Sequence, residues 1–188
     1  MINKEANLEN DDKLYNFIIN RRNEIENIIY STRIKMNDEL SPFLTEEERT
    51  VLPPLMDAVE TWFYSGDEAV YNKTELEKNT EKFNEVSGKI YARFNNWRNL
   101  DDAVEFLKKY NANNANKISQ AVDSHLKNYI KQDELFNLVS NSNKQLGDLE
   151  DLMQKTPRFM DCPFSAEKLR KEFDELNNVL YFLIFLET

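Results

Sequence analysis

Residues 20–36, NRRNEIENIIYSTRIKM, carry the pattern that decides the fold. Apolar side chains return there every third or fourth residue, which is the spacing of one face of an α-helix. The same stripe extends beyond the stretch and comprises Leu14, Phe17, Ile18, Ile25, Ile28, Ile29, Thr32 and Met36. We therefore expect a long helix from Asp11 to about Asn37, with Asp11 or Asp12 as its N-cap. The helix should stop near Pro42, because the residue before a proline is pushed out of the α region.

A second helix is predicted from Thr45 to about Tyr64. Thr45 and Glu48 have the spacing of a capping box, in which each residue satisfies a backbone N–H near the other. The positions expected to face inward are Val51, Leu52, Leu55, Val59, Trp62 and Phe63. Pro53 and Pro54 interrupt this pattern, and two prolines inside a helix predict a kink or a break into two pieces.

The rest of the chain continues in helical periods. Asn72, with Glu75 three residues later, should cap a third helix, which Gly88 punctuates. The asparagine-rich patch over 111–116 favours a loop, because Asn is a poor residue for a helix interior. Further helices are predicted over about 118–130, over about 135–153 and from near Ser165 onward. We therefore expect an all-α fold in which a long helix packs into an elongated bundle of about six helices.

Composition limits the classes of protein to which the chain can belong. Only 3 Gly and 5 Pro occur in 188 residues, too few for the turns of an all-β or α/β fold. Lys and Arg number 24 against 34 Asp and Glu, and a formal charge of −10 disfavours nucleic acid or an anionic membrane surface as a partner. The longest apolar run, over 179–186, is too short to span a bilayer. We interpret it as a buried helix or as an exposed, adhesive apolar end. Because the N-terminus is polar, we expect no secretory signal there.

The sequence contains few of the residue types that catalytic sites use. His125 is the single histidine and Cys162 the single cysteine, so a metal site built on imidazoles is excluded and the thiol fits a reducing compartment. Asp123 and Ser124 adjoin His125, but such close neighbours on a helix do not face each other. The three glutamates at 46–48 are better explained as the first turn of a helix than as a cation site. We expect this chain to be no enzyme and to hold no metal or cofactor.

Several segments of the chain resemble the 110-kDa heat-shock branch of the 70-kDa heat-shock chaperone superfamily. The likeness covers about residues 10–95 and weakens beyond Trp97 to a plausible helical tail. The strongest part is the stretch over 20–36, which is similar to the long lid helix of that branch. The other matching segments are Ser41-Pro42-Phe43, TEEER at 45–49, WFYSGDEA at 62–69, and the positions Tyr71, Lys73, Leu76, Ile90, Arg93 and Phe94.

The resemblance implies a domain organisation and a function. The chain would comprise a flexible N-terminal segment over 1–10 and a C-terminal helical lid and bundle domain over 11–188, with sub-bundles at about 11–97 and 98–188. ATP would bind to a nucleotide-binding domain outside these residues. The family acts in the cytoplasm as a nucleotide-exchange factor for 70-kDa heat-shock chaperones and as a holdase for unfolded client proteins. Its helical bundle embraces the nucleotide-binding domain of the partner chaperone so that ADP leaves.

The resemblance also assigns a contact site to the first helix. The family's polar contact pair falls on Asn23 and Glu26, whose i, i+3 spacing puts both on one face, offset from the buried stripe. Spacing alone favours a solvated pair, and the basic pair Arg21–Arg22 beside it is read as a solvated helix face. The aromatic residues Trp62, Phe63 and Tyr64 are expected in the bundle core rather than in a cradle for a peptide.

Two other functions stay open at this point. One is the lid of a 70-kDa chaperone proper, which would close over a bound peptide, although the length after Trp97 argues against it. The other is a free-standing helical interaction module, in which the likeness over 20–36 would be an accident of helix composition. An enzyme is a distant third, because its chemistry would have to come from carboxylates alone.

Overall fold

The structure, a computed structural model, describes residues 2–123, 132–162 and 164–171. Four long α-helices lie in these ranges: α1 (Ile2–Lys35), α2 (Glu46–Phe63), α3 (Lys73–Asp123) and α4 (Gln132–Lys155). Short 3-10 helices at Ser41–Phe43 and Glu68–Tyr71 join α1 to α2 and α2 to α3, and residues 166–171 are again α-helical. The described ranges contain five α-helices and no strand. The all-α prediction is therefore confirmed, with a helix count close to the expected six.

The chain divides into two compact units, unit 1 (Met1–Ala92) and unit 2 (Arg93–Thr188). Helix α3 contributes its first part to unit 1 and its second part to unit 2. In the part of the chain that the structure describes, no helix is both long enough and apolar enough to cross a membrane.

Helix α1 buries one stripe in unit 1, formed by Ile18, Ile25, Ile29 and Thr32, none of them more than 2% exposed. These residues are spaced by seven, four and three positions, so the predicted helical stripe is confirmed in its central part. The hydroxyl groups of Thr32 and Tyr91 share a hydrogen bond of 3.1 Å, which joins α1 to α3. Residues 20–36 thus lie against the core on one face only.

The N-terminal half of α1 differs from the prediction. The helix begins at Ile2, so the expected N-cap at Asp11 or Asp12 is wrong, and residues 2–10 of the segment predicted to be flexible lie in the same helix. Leu14 and Phe17, expected to face inward, are 47% and 48% exposed. Their periodicity is that of the stripe, but the elements that cover Ile25 and Ile29 do not cover these two side chains.

Helix α2 begins with the predicted capping box. The Thr45 side chain accepts a hydrogen bond from the Glu48 backbone N–H at 3.1 Å, and the Glu48 carboxylate accepts one from the Thr45 N–H at 2.8 Å. The helix runs through Pro53 and Pro54, so the predicted break is wrong, whereas the alternative, a kink, stays a prediction. Its buried residues lie four, three and four positions apart and occur on both sides of the prolines, where they pack into the core of unit 1: Leu52, Met56, Val59 and Phe63. Val51, expected inside, is 38% exposed.

Helix α3 is longer than the prediction. Asn72 caps it as expected, since its side-chain oxygen accepts hydrogen bonds from the backbone N–H groups of Thr74 at 2.9 Å and Glu75 at 3.2 Å. The helix then passes through Gly88 and through the patch 111–116, so the loop predicted there is wrong. A buried residue recurs at every seventh position: Leu76, Phe83, Ile90, Trp97, Val104 and Asn111. This spacing keeps one face inward and makes Asn111 an interior residue.

In unit 2, α4 packs against the second part of α3. The Asn111 side-chain N–H₂ group donates to the Ser142 hydroxyl at 2.8 Å and to Oδ1 of Asn143 at 3.0 Å, while Lys108 and Glu150 form an ion pair. These partners satisfy the buried amide, which is why an asparagine is tolerated inside the helix. The prediction of a helix ending before Pro157 is confirmed by the end of α4 at Lys155.

The segment after α4 folds back onto Trp97, which is fully buried. Its indole N–H donates to the Met160 carbonyl at 2.9 Å, and the Arg158 guanidinium lies 4.4 Å from the ring centre. The last helix starts at residue 166, near Ser165 as predicted. The Ser165 hydroxyl accepts a hydrogen bond from the Lys168 N–H at 3.4 Å at this start. Other residues of our predictions lie outside the described ranges: His125, Leu126, Tyr129, Ile130, Phe173, Leu176, Leu180, Leu183 and the run over 179–186.

Candidate partner-binding face of unit 1

Asn23 lies on the outward face of α1. Its side chain is exposed, and it stands two positions before the fully buried Ile25, so it points away from the core side of the helix. Asn27 and Tyr30 follow on the same face at helical spacing, and Tyr30 is 68% exposed. An exposed amide can both donate and accept hydrogen bonds, so this face offers polar recognition with no change in the core.

Glu26 is placed differently from Asn23. Its side chain is only 29% exposed, and its carboxylate lies 3.5 Å from Nε of Arg22, one helical turn earlier. The same carboxylate raises the pKa of the Tyr64 hydroxyl. The structure therefore places both predicted site residues on α1, but it pairs Glu26 with Arg22 inside unit 1.

Arg22 joins α1 to the end of α2. Its Nη2 donates to the Phe63 carbonyl at 2.9 Å, and its guanidinium lies 5.0 Å from the Phe63 ring centre and 5.6 Å from that of Tyr64. The side chain is 15% exposed, so reading Arg21–Arg22 as a solvated pair is wrong for Arg22. The carbonyl at the end of α2 carries the negative end of the helix dipole, which favours a cation there.

The three aromatic residues at the end of α2 have separate environments. Phe63 is 2% exposed and belongs to the core, whereas Trp62 is half-buried and Tyr64 is 72% exposed. The prediction of a core location is thus confirmed for Phe63 and wrong for Tyr64. The hydrogen bond to Glu26, followed by the charge of that carboxylate, raises the pKa of Tyr64 above its ordinary value.

Other candidate sites from the sequence are structural. The glutamates at 46–48 start α2, and Glu48 is used in the capping box. Cys162 is half-buried and its Sγ lies 3.1 Å from the Phe164 carbonyl oxygen. Burial raises the pKa of this thiol, which works against a reactive thiolate. Across the described ranges no three His, Cys, Asp or Glu side chains form a group able to hold a metal ion.

These features define a class of protein: a helical module that presents polar groups beside an aromatic ring on the surface of unit 1. Asn23, Glu26 and Tyr64 supply an amide, a carboxylate and a hydroxyl beside an aromatic ring, all on one side of unit 1.

Comparison with known proteins finds relatives among heat-shock proteins. One heat shock protein homolog of Saccharomyces cerevisiae is 36% identical over 74 residues, 39% of this chain and 11% of its own length. A second heat shock protein homolog of the same yeast is 27% identical over 104 residues, 55% of this chain and 13% of its own. Heat shock 70 kDa protein 15 of Arabidopsis thaliana is 22% identical over 147 residues, 77% of this chain and 16% of its own.

These relatives confirm the resemblance to the 70-kDa heat-shock superfamily and its 110-kDa branch, at modest identity over part of the chain. The chain spans less than a fifth of the length of each of these relatives. No protein-family model and no solved structure matches it.

Proposed function

We propose that the chain acts as the C-terminal helical domain of a 110-kDa heat-shock-type chaperone. In this role it contacts the nucleotide-binding domain of a 70-kDa heat-shock chaperone, promotes nucleotide exchange there, and supports the holding of unfolded client proteins. The similarity to heat-shock proteins supports a chaperone-related role, and the all-α fold suits a helical lid and bundle. The chain itself performs no catalysis in this proposal, and ATP binds to a domain outside these residues in a cytoplasmic protein.

One observation supports Asn23 and Glu26 as the contact site. Asn23 and Glu26 lie on the outward side of α1, in the stretch that most resembles the family's lid helix, while Ile25 and Ile29 of the same stretch are fully buried. The helix is therefore fixed by its apolar face and presents the polar pair on the other side. A pair presented from a fixed helix can make a partner contact with little loss of side-chain and backbone freedom.

The proposal is tested by titrating this chain into the purified nucleotide-binding domain of a 70-kDa chaperone and measuring heat of binding. Saturable binding is expected, and the double variant Asn23→Tyr, Glu26→Ala should weaken it at least about tenfold, as expected for central interface residues. The Tyr side chain would obstruct the contact at Asn23, and the Ala side chain removes the carboxylate that pairs with Arg22.

A matched control comes from unit 2. Asn95 and Glu105 are exposed residues of α3, and Glu105 pairs with Lys109 across one turn as Glu26 pairs with Arg22. The double variant Asn95→Tyr, Glu105→Ala should bind like the unaltered chain. Absence of binding by the unaltered chain would contradict the proposal and leave the peptide lid or the free-standing module.

A further inference from the structure

We propose that Ser65 accepts a phosphoryl group from a protein kinase that recognises acidic sequences, and that the phosphate opens the turn at the end of α2. The site is the sequence Ser65-Gly66-Asp67-Glu68, which joins α2 to the short 3-10 helix at Glu68–Tyr71. This inference stands apart from the proposed function, because it concerns a covalent modification of this chain and requires no 70-kDa chaperone.

The backbone around Ser65 is accessible. Residues 64–68 are all exposed, and residues 65–67 belong to no helix. Gly66 has a φ of 78°, in the left-handed region that favours glycine, and open space surrounds the position that a Cβ would take there. An exposed loop of this kind can enter the cleft of a modifying enzyme, whereas a packed helix would first have to unwind.

The charge pattern after Ser65 suits a kinase with a basic substrate-binding surface. Asp67 and Glu68 stand two and three positions after the acceptor, and both are exposed. Residues 50–72 include four acidic residues and no Lys or Arg. Kinases select their substrates by such charge patterns, and an enzyme that reads carboxylates presents Lys or Arg to them. The sequence around Ser65 therefore fits a kinase that reads acids after the acceptor rather than one that reads bases before it.

The Ser65 hydroxyl closes the end of α2. Its Oγ donates to the Trp62 carbonyl at 2.8 Å and accepts from the Asp67 backbone N–H at 3.2 Å. Phosphorylation forms a bond between Oγ and the γ-phosphorus of ATP and breaks the bond that joins this phosphorus to ADP. The hydroxyl proton passes to the catalytic base of the kinase. Phosphorylated Ser65 has therefore lost the donor that binds the Trp62 carbonyl.

The phosphate also meets unfavourable electrostatics at the end of α2. Its charge of about −1.5 to −2 stands beside the carboxyl end of the helix, where the helix dipole is already negative. Backbone hydrogen bonds hold this turn, from the Tyr64 N–H to the Glu60 carbonyl at 3.1 Å and from the Ser65 N–H to the Trp62 carbonyl at 3.2 Å. Loss of the hydroxyl donor and repulsion from these carbonyls should weaken both bonds.

Two other hydroxyl groups that precede acidic residues serve as internal comparisons. Thr45 is followed by three glutamates, but it is half-buried and its side chain accepts from the Glu48 N–H in the capping box of α2. Thr74 has glutamates one and three positions after it, but it lies in the first turn of α3, where the backbone is helical. Of the three, Ser65 combines the acidic sequence with an exposed, non-helical backbone.

The experiment incubates the whole chain with ATP and an acidophilic serine/threonine kinase and locates the phosphate by mass spectrometry. We expect close to one phosphate per chain, on Ser65, and loss of most of it in Ser65→Ala. The variant Asp67→Asn, Glu68→Gln should be phosphorylated at least about tenfold more slowly, because the carboxylates that the kinase binds are gone. The matched control Glu75→Gln, Glu77→Gln removes two acids that follow the other exposed hydroxyl, and it should be phosphorylated at the unaltered rate.

Amide hydrogen exchange measured by NMR tests the opening of the turn. The N–H groups of Tyr64 and Ser65 should exchange at least about threefold faster in the phosphorylated chain, as expected when hydrogen bonds are weakened locally. The N–H of Phe83, a buried residue of α3, should exchange at an unchanged rate.

Each part of the inference has results that would overturn it. Phosphate on Thr45 or Thr74 instead of Ser65, undiminished labelling of Ser65→Ala, or no labelling of the folded chain would overturn the site. An equal rate for the variant without the two carboxylates would overturn the acidic recognition, and unchanged exchange at Tyr64 and Ser65 would overturn the opening of the turn. Circular dichroism checks that every variant is folded. These results are independent of binding to a 70-kDa chaperone, so a failure here and a failure of the proposed function are distinguishable.

Discussion

Arg22 makes long-range contacts that its place in the sequence does not predict. It reaches a carbonyl 41 positions away in sequence, lies beside two aromatic rings and pairs with Glu26. Its neighbour Arg21 pairs with Glu24 on the exposed side of the same helix, at 3.0 Å. The sequence pattern does not distinguish the two arginines. Only Arg22 contacts the end of α2, and the position of that end depends on tertiary packing. The partners of Glu26 could not be predicted for the same reason.

A prediction at this scale concerns the ionisation of Tyr64. The Glu26 carboxylate favours the neutral hydroxyl over the tyrosinate, so the pKa of Tyr64 is raised, and this effect is lost when the pH rises through that raised pKa. In Glu26→Gln the pKa should fall towards its ordinary value, because the charge is gone. Tyrosine labelled with carbon-13 at the ring carbon bearing the hydroxyl reports the titration by NMR, with Tyr64→Phe assigning the signal. An unchanged pKa in Glu26→Gln would show that the two side chains do not pair.

At the scale of elements, local signals were predictable and long-range ones were not. The capping box of Thr45 and Glu48 and the cap at Asn72 are confirmed, because each depends on residues two or three positions apart. The break at Pro53–Pro54 and the loop over 111–116 are wrong, because burial on one face of a long helix outweighs poor local propensity. Leu14 and Phe17 fit the helical period but are exposed, because periodicity alone does not show how far along α1 the neighbouring elements pack.

The buried amide of Asn111 gives a prediction for α3 and α4. Asn111→Leu removes the donor to Ser142, which is 2% exposed, and should lower the free energy of unfolding by about 1–3 kcal/mol. The control Asn113→Leu alters an exposed residue of the same helix and should change stability by less than about 0.5 kcal/mol. Urea unfolding followed by the fluorescence of Trp97, in a Trp62→Phe background, reports on unit 2. Equal stabilities of the two variants would contradict the role of Asn111.

At the scale of the whole molecule, the chain consists of two compact units. In unit 1, Thr32 pairs with Tyr91, Arg33 with Asp57 at 2.6 Å, and Arg22 with the Phe63 carbonyl. Each pair joins two residues within 1–92. The candidate site also lies within this range, so unit 1 carries all the residues on which the proposed contact depends. The predicted sub-bundle boundary near residue 97 stays a prediction.

We therefore predict that a fragment of residues 1–92 folds on its own. Its length is within the range of small independent domains, and its core is supplied by α1, α2 and the first part of α3. It should show a helical circular-dichroism spectrum with a cooperative thermal transition, and it should bind the nucleotide-binding domain as the whole chain does. A fragment without a cooperative transition would show that unit 1 needs the rest of the chain.

We propose that the outward face of α1 promotes nucleotide exchange on a 70-kDa chaperone. The most direct test follows release of a fluorescent ADP from that chaperone on addition of this protein in its full encoded length. We predict faster release than without the protein, and a large loss of this acceleration in the variant Asn23→Tyr, Glu26→Ala. No acceleration by the unaltered protein would contradict the exchange function, and acceleration that survives the two substitutions would contradict the site.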